Sequence, residues 1–158
     1  MGVPHYDRAV GTFVVPLPVI DQQIVRRSAQ TLERYGPDFS YGHYFAVGGS
    51  SVGVAKSLIR RDMPKPGEGP SPEERAESWF KMRFVGEGGG RTVMTEISGG
   101  DPGYDETAKM LSETAMCLAR DDLPKRSGQL TTAAAMGDAL IDRLRRAGIT
   151  FEVLETTG

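Results

Sequence analysis

The chain has 158 residues, a length that suits one domain and buries roughly two-thirds of the surface that the unfolded form exposes. Its 19 basic residues against 21 acidic ones leave a formal charge of −2, too weak a field to gather nucleic acid or an anionic membrane, so neither is expected as a partner. One cysteine excludes an internal disulfide, no apolar run reaches the ~20 residues of a spanning helix, and the start lacks the basic-then-apolar order of a secretory signal; a single cytoplasmic domain over residues 1–158 is expected.

Residues 11–16 are β-branched and aromatic and are closed by Pro16 and Pro18, which cannot donate to a ladder, so they predict a strand. After Asp21 as a cap, Ile24, Val25, Ser28, Leu32 and Tyr35 recur at helical spacing until Gly36-Pro37, predicting a helix over 21–35. In 39–47, Tyr41, His43, Phe45 and Val47 alternate onto one face of a second strand. Beyond Gly48-Gly49, Ser50 or Ser51 caps an expected helix with Val54 and Leu58 inward, ending near Arg60-Arg61. Residues 63–72 are too proline-rich for either period, and Ser71, Pro72 and Glu74 form a capping-box pattern that opens a helix of one or two turns.

Phe80, Met82 and Phe84 alternate with Trp79, Lys81, Arg83 and Val85 across a half-buried strand. Glycines within 86–90 supply positive-φ positions for a hairpin, and Val93, Thr95 and Ile97 resume the alternation. A loop over 98–104 leads into a helix over 105–120, where Ala108, Leu111, Ala115 and Leu118, flanked by Met110 and Met116, predict a well-packed apolar stripe. Thr131 or Thr132 caps a further helix with Met136, Leu140, Ile141 and Leu144 as core positions, ended by Ala147-Gly148; Asp138, Asp142, Arg143, Arg145 and Arg146 form its solvated face. Residues 149–153 alternate as a last strand. With no regular βαβ repeat, the order implies an α+β fold with a mixed or largely antiparallel sheet and helices mainly on one face.

The motifs exclude more than they assign. No G-x-G-x-x-G spacing occurs, and Gly48-Gly-Ser-Ser-Val-Gly53 fits helix entry better than pyrophosphate binding. No P-loop is present, and one cysteine with His5 and His43 does not make a metal-ligand set. Cys117 reads as a small buried apolar residue. His43 has Tyr41, Tyr44 and Phe45 beside it to exclude water, which suits a general acid or base, although a sheet histidine satisfied by backbone or solvent is the simpler reading. In Asp101-Pro-Gly-Tyr104 the carboxylate bonds forward to backbone amides and Pro102 presets a turn; a functional reading puts Asp101 and the Tyr104 hydroxyl at a pocket mouth. The small residues of 131–140 allow close approach by a sheet or a second subunit.

Ile24-Val-Arg-Arg-Ser28, Pro64-Lys-Pro-Gly-Glu-Gly-Pro-Ser71, Gly100-Asp-Pro-Gly-Tyr104 and Leu130-Thr-Thr-Ala-Ala-Ala-Met-Gly-Asp-Ala-Leu140 together resemble the C-terminal half of the saccharopine dehydrogenase-like family, in its actinobacterial branch of trans-acting enoyl reductases. In that family an N-terminal Rossmann domain binds the nicotinamide cofactor, while the C-terminal domain covers the substrate cleft and often supplies a sheet for dimerisation. The resemblance implies that this chain binds no cofactor alone and meets NAD(P) only through a separate Rossmann domain. It also implies a homodimer and a hydrophobic small-molecule substrate of acyl or polyketide type. The expected role is a substrate-binding and dimerisation domain without redox competence of its own. The alternatives are a cofactor-independent cyclase or isomerase of natural-product assembly in the same cleft, or a non-catalytic binder of apolar molecules. Tyr41, Phe45, Trp79, Asp101 and Tyr104 are the candidates for holding substrate, and His43, Asp101 and Tyr104 for catalysis.

Overall fold

Pro16 ends a strand as its chemistry requires, and the elements around it form the first of two units. The computed structural model describes residues 2–47 and 67–158, and the chain divides into compact units Met1–Gly69 and Pro70–Gly158. The helix expected after Ser50 or Ser51, the Gly48 to Gly53 run and the start of the proline-rich loop lie outside the described residues.

In the first unit β1 (His5–Asp7), β2 (Thr12–Pro16) and β3 (Tyr44–Val47) form an antiparallel sheet in that order. The β1–β2 turn is built by Asp7, whose Oδ1 accepts the amides of Ala9 (2.9 Å) and Val10 (3.2 Å), and by Gly11 at φ 70°. Helix α1 spans Asp21–Thr31 and a 3-10 turn follows at Glu33–Tyr35, so the expected continuous helix breaks at Leu32, whose backbone is extended. Asp21 is the first helical residue rather than the cap; Ile20 holds the cap position without a side-chain bond. The Thr31 hydroxyl turns back onto the carbonyls of Arg27 and Ser28, a local competitor of helix propagation. Strand β3 is shorter than 39–47 because only Tyr44 onward pairs with β2.

The second unit opens with α2 (Pro72–Glu77), whose capping box closes as its sequence implies: Ser71 Oγ accepts the Glu74 amide at 3.2 Å, and Glu74 Oε2 accepts the Ser71 amide at 2.8 Å. Strands β4 (Phe80–Gly88), β5 (Arg91–Gly99) and β6 (Thr150–Thr157) form a second antiparallel sheet, ordered β4-β5-β6. Gly89 and Gly90, at φ 57° and 75°, are the two-residue turn that keeps the hairpin twist. Helix α3 spans Asp105–Arg120, then α4 (Thr132–Ala135) and α5 (Asp138–Arg146). The single helix expected there is two, because Gly137 sits at φ 51°. The Thr131 hydroxyl does cap α4, accepting the Ala134 amide at 3.3 Å. Both sheets are wholly antiparallel, an α+β arrangement.

The sheet side bearing Phe80, Ile97 and Phe151 meets the helices. A Cβ at Gly99 would stand 2.7 Å from the Phe80 ring and 3.4 Å from the Glu106 carboxyl, so a side chain there would have to displace the ring; the Arg145 guanidinium lies 5.6 Å over Phe151. Cys117, Ala134, Met136 and Ile149 are the buried apolar residues described in this unit. On the opposite side Glu96 is buried beneath Lys81 (2.9 Å) and its register partner Arg83 (2.7 Å); the Arg83 hydrogen bond, then that of Lys81, holds its carboxyl below the usual range.

Two expectations are corrected. The Ala108, Leu111, Ala115, Leu118 stripe faces outward, with Leu111 70% and Leu118 58% exposed, while Glu106 and Cys117 take the buried side. The inward side is satisfied by ion pairs and the thiol rather than by leucines. Arg143 is not part of the solvated face: its Nε and Nη2 grip Asp121 at 2.6 and 2.8 Å and its Nη1 reaches Glu113 at 3.1 Å, tying α5 to α3 and to the residue that ends it. That guanidinium pulls the Asp121 carboxyl down to about 2. Burial, and then a hydrogen bond with Asp121, pushes the Cys117 thiol up.

Ile149, 2% exposed, should cost about 2–5 kcal/mol when cut to alanine, read by urea unfolding. Since the Asp121 carboxyl is depressed in the folded state, its share of stability is complete above the ordinary value of 3.8 and fades as pH falls toward about 2. Melting temperatures recorded across that window should therefore drop less steeply in Arg143→Met than in the parent, starting from a lower plateau.

Candidate functional site

Partners in an antiparallel register share a face, so the pairs Val15 with Phe45 and Phe13 with Val47 place four apolar side chains on one side of the first sheet. Tyr6, paired with Phe13 and edge-on to its ring at 5.5 Å, extends that side. It is open: Phe13 is 59% and Tyr6 54% exposed. The register continues beyond β3, where the Leu17 amide donates to the His43 carbonyl at 2.9 Å, and alternation carries His43 and Tyr41 to the Phe45 side. Gly42 and Tyr44 take the other side, where a Cβ at Gly42 would strike the Tyr44 ring.

At the end of this apolar wall the Tyr41 hydroxyl lies 3.1 Å from His43 Nδ1, with the two rings edge-on at 6.1 Å. Burial, and then the Asp21 carboxylate, pushes the phenol pKa up, so Tyr41 stays protonated at neutral pH and is a hydrogen-bond donor. The imidazole tautomer sets the direction of that bond; with a proton on Nδ1 the ring donates to the phenol oxygen, and the single Tyr41 O–H is left to polarise a carbonyl. Nearby, Arg26, Ala29, Gln30, Pro37, Phe39 and Ser40 line an open cleft of about 470 Å³ between α1 and the residues after the 3-10 turn. Ser40 precedes Tyr41 in the chain, and Arg26 supplies the cleft with a cation.

Three of the sequence-derived candidates, Tyr41, His43 and Phe45, thus fall on one side of β3 and of the residues just before it. The others belong to the second unit. Asp101 is buried, with Oδ2 accepting the amides of Tyr104 (2.6 Å) and Asp105 (3.1 Å); the Tyr104 amide contributes most to holding its carboxyl below the usual range. It organises the start of α3. Tyr104 is 48% exposed and Trp79, just before β4, 58% exposed. Glu106 was not singled out from sequence, yet it is buried with Gly100 N donating to Oε1 at 3.3 Å and the Lys109 ammonium 2.8 and 2.7 Å from its two oxygens. Tyr6, Phe13 and Val15 were missed as members of the apolar face, although the alternation of Phe13 and Val15 was there to be read. Among the described residues no group of three His, Cys, Asp or Glu side chains is placed to hold a metal ion.

Comparison with known proteins adds a relationship to this geometry. The chain is 35% identical to a Mycobacterium tuberculosis protein provisionally named a trans-acting enoyl reductase, over 82% of this chain and 38% of that protein. It is 34% identical to the trans-acting enoyl reductase of Mycobacterium bovis, over 80% of this chain and 37% of the relative.

This chain is related to the trans-acting enoyl reductases.

The match to the trans-acting enoyl reductase of Mycobacterium ulcerans, at 31% identity, again covers 80% of this chain and 37% of the relative. The chain therefore spans less than two-fifths of the length of the curated trans-acting enoyl reductases it matches. Neither unit alone amounts to that share of the chain, so the similarity takes in residues of both. No protein-family model matches the chain, and no solved structure matches it.

The raised phenol pKa sets a sign for stability. The neutral Tyr41 hydroxyl contributes below the ordinary value of 10.0, and the contribution fades as pH rises through the higher folded value. Tyr41→Phe should flatten the alkaline fall of the melting temperature, and in Asp21→Asn the phenolate absorbance of Tyr41 should appear at lower pH than in the parent.

Proposed function

We propose that this chain is the substrate-holding part of a protein of trans-acting enoyl reductase type, binding an acyl or polyketide-like chain and lacking redox competence by itself. The carrying observation is the apolar face of exposed Tyr6, Phe13, Val15 and Val47 and half-buried Phe45 running up to the Tyr41–His43 pair, in a chain 35% identical over 82% of its length to a protein provisionally named a trans-acting enoyl reductase. An acyl tail lies along such a wall by the hydrophobic effect, while its thioester carbonyl needs one hydrogen-bond donor, which Tyr41 offers. The related proteins' name denotes reduction of an enoyl group in trans, which requires a hydride donor. The residues of this chain do not fit a nicotinamide dinucleotide, since nowhere in the sequence are glycines spaced to seat a pyrophosphate. Accordingly the hydride carrier belongs to a separate Rossmann-type domain, as in the saccharopine dehydrogenase-like proteins, and the part played here is to hold and polarise.

A second reading is favoured by the Tyr41–His43 pair alone: an acid–base dyad that needs no cofactor suits a cyclase or isomerase acting on the same chain.

Calorimetric titration of the purified chain with trans-enoyl thioesters of decreasing length decides between them. Binding should weaken roughly tenfold for each two methylenes removed, and Phe45→Asp should abolish it. The substrate should be recovered unchanged, and NADPH added with it should not be consumed. Rearranged product would favour the second reading; NADPH oxidation by the chain alone would sink the first.

A further inference from the structure

We propose, building on the acyl-holding reading of the first sheet, that the cleft beside α1 is a phosphate subsite: it takes the phosphate ester at the far end of the carrier arm to which the acyl chain is joined as a thioester. Gly36, at φ 72°, ends the 3-10 turn with its amide donating to the Glu33 carbonyl at 2.9 Å, and residues 37–40 then face α1 across the cleft. Arg26, Ala29 and Gln30 meet them from one side of the helix, spaced three and four residues apart. The space between, about 470 Å³, is of the size that holds a small molecule.

The lining chooses the ligand. Arg26 is exposed and has no carboxylate partner among the described residues, and no Asp or Glu lines the cleft. Its guanidinium presents N–H donors in a fixed fork that fits two oxygens of a phosphate, and such charge-assisted bonds are roughly twice as strong as neutral ones. The Gln30 amide and the Ser40 hydroxyl add uncharged donors and acceptors for the polar groups of an arm. Phe39, edge-on to Tyr35 at 4.7 Å, supplies an apolar contact. The cleft also lies where the substrate leads. The backbone runs from Val47 and Phe45 on the wall, through His43 and Tyr41, into Ser40 and Phe39 of the cleft. With the acyl tail on the wall and its carbonyl at the Tyr41 hydroxyl, the sulfur side of the thioester points to the cleft. Carriers that hold acyl groups as thioesters, coenzyme A among them, bear a phosphate ester beyond that sulfur. Asp21, whose carboxylate acts on the Tyr41 phenol, precedes Arg26 on α1 by a rise of about 7.5 Å, so donor and cation stand within the span of one ligand.

Calorimetric titration of the full chain at low ionic strength with phosphopantetheine, which has the phosphate but no acyl chain, tests this. It should bind at least about tenfold more tightly than pantetheine, which lacks the phosphate, and Arg26→Gln should remove that difference. Arg27→Gln, which deletes an equal charge beside the cleft but outside its lining, should leave the difference in place. An enoyl thioester of N-acetylcysteamine, with an acyl chain but no phosphate, should bind the parent and Arg26→Gln equally. If that thioester fails to bind the parent, the acyl-holding reading falls and this inference with it. If it binds while phosphopantetheine and pantetheine do not differ, this inference alone falls. Equal losses in Arg26→Gln and Arg27→Gln would overturn it as well, and so would adenosine diphosphate binding more tightly than phosphopantetheine through Arg26, which would make the cleft a nucleotide site.

Discussion

The hydrogen-bonded register between β2 and β3 is the constraint from which the candidate site follows. It sets Val15 against Phe45 and Phe13 against Val47, and the two-residue period of an extended chain does the rest. A shift by one residue would send these side chains to the other side and exchange an apolar wall for Thr12, Val14 and Ala46. The Asp7 turn limits such slippage by closing the preceding hairpin with a side-chain acceptor. The same register, prolonged through the Leu17–His43 bond, keeps Tyr41 and His43 at the end of the wall rather than behind it.

The second unit obeys a different economy. Its buried apolar residues are few, and charged groups do much of the joining: Arg143 bridges Asp121 and Glu113, Lys109 covers Glu106, and Lys81 with Arg83 covers Glu96. Ion pairs of this partly exposed kind orient helices more than they add stability. With polar groups directed inward, α3 turns its leucines outward, and a face that looks like core in the sequence becomes a surface available for contact. The two units thus each carry an exposed apolar face, one on a sheet and one on a helix.

Kinship with the trans-acting enoyl reductases, over less than two-fifths of their length, gives the first face a chemical context.

Local chemistry determined much of this protein from the sequence alone. The capping box at Ser71, a cap at Thr131 or Thr132, a glycine turn within 86–90, the boundaries of α3 and the alternation of Phe80, Met82 and Phe84 depend on neighbours within a few residues, and the sequence states those neighbours. The shared side of Phe45 and Val47 was legible for the same reason, because period two is a property of one strand; Tyr41 and His43 precede β3 and meet outside it. Tertiary structure alone decided the rest. Which side of α3 faces inward and why Arg143 leaves the solvated face depend on groups far apart in the chain, as Glu113 with Arg143. Periodicity shows that a helix has an apolar face; it carries no information about which neighbour meets it, because that depends on contacts between residues the sequence keeps far apart.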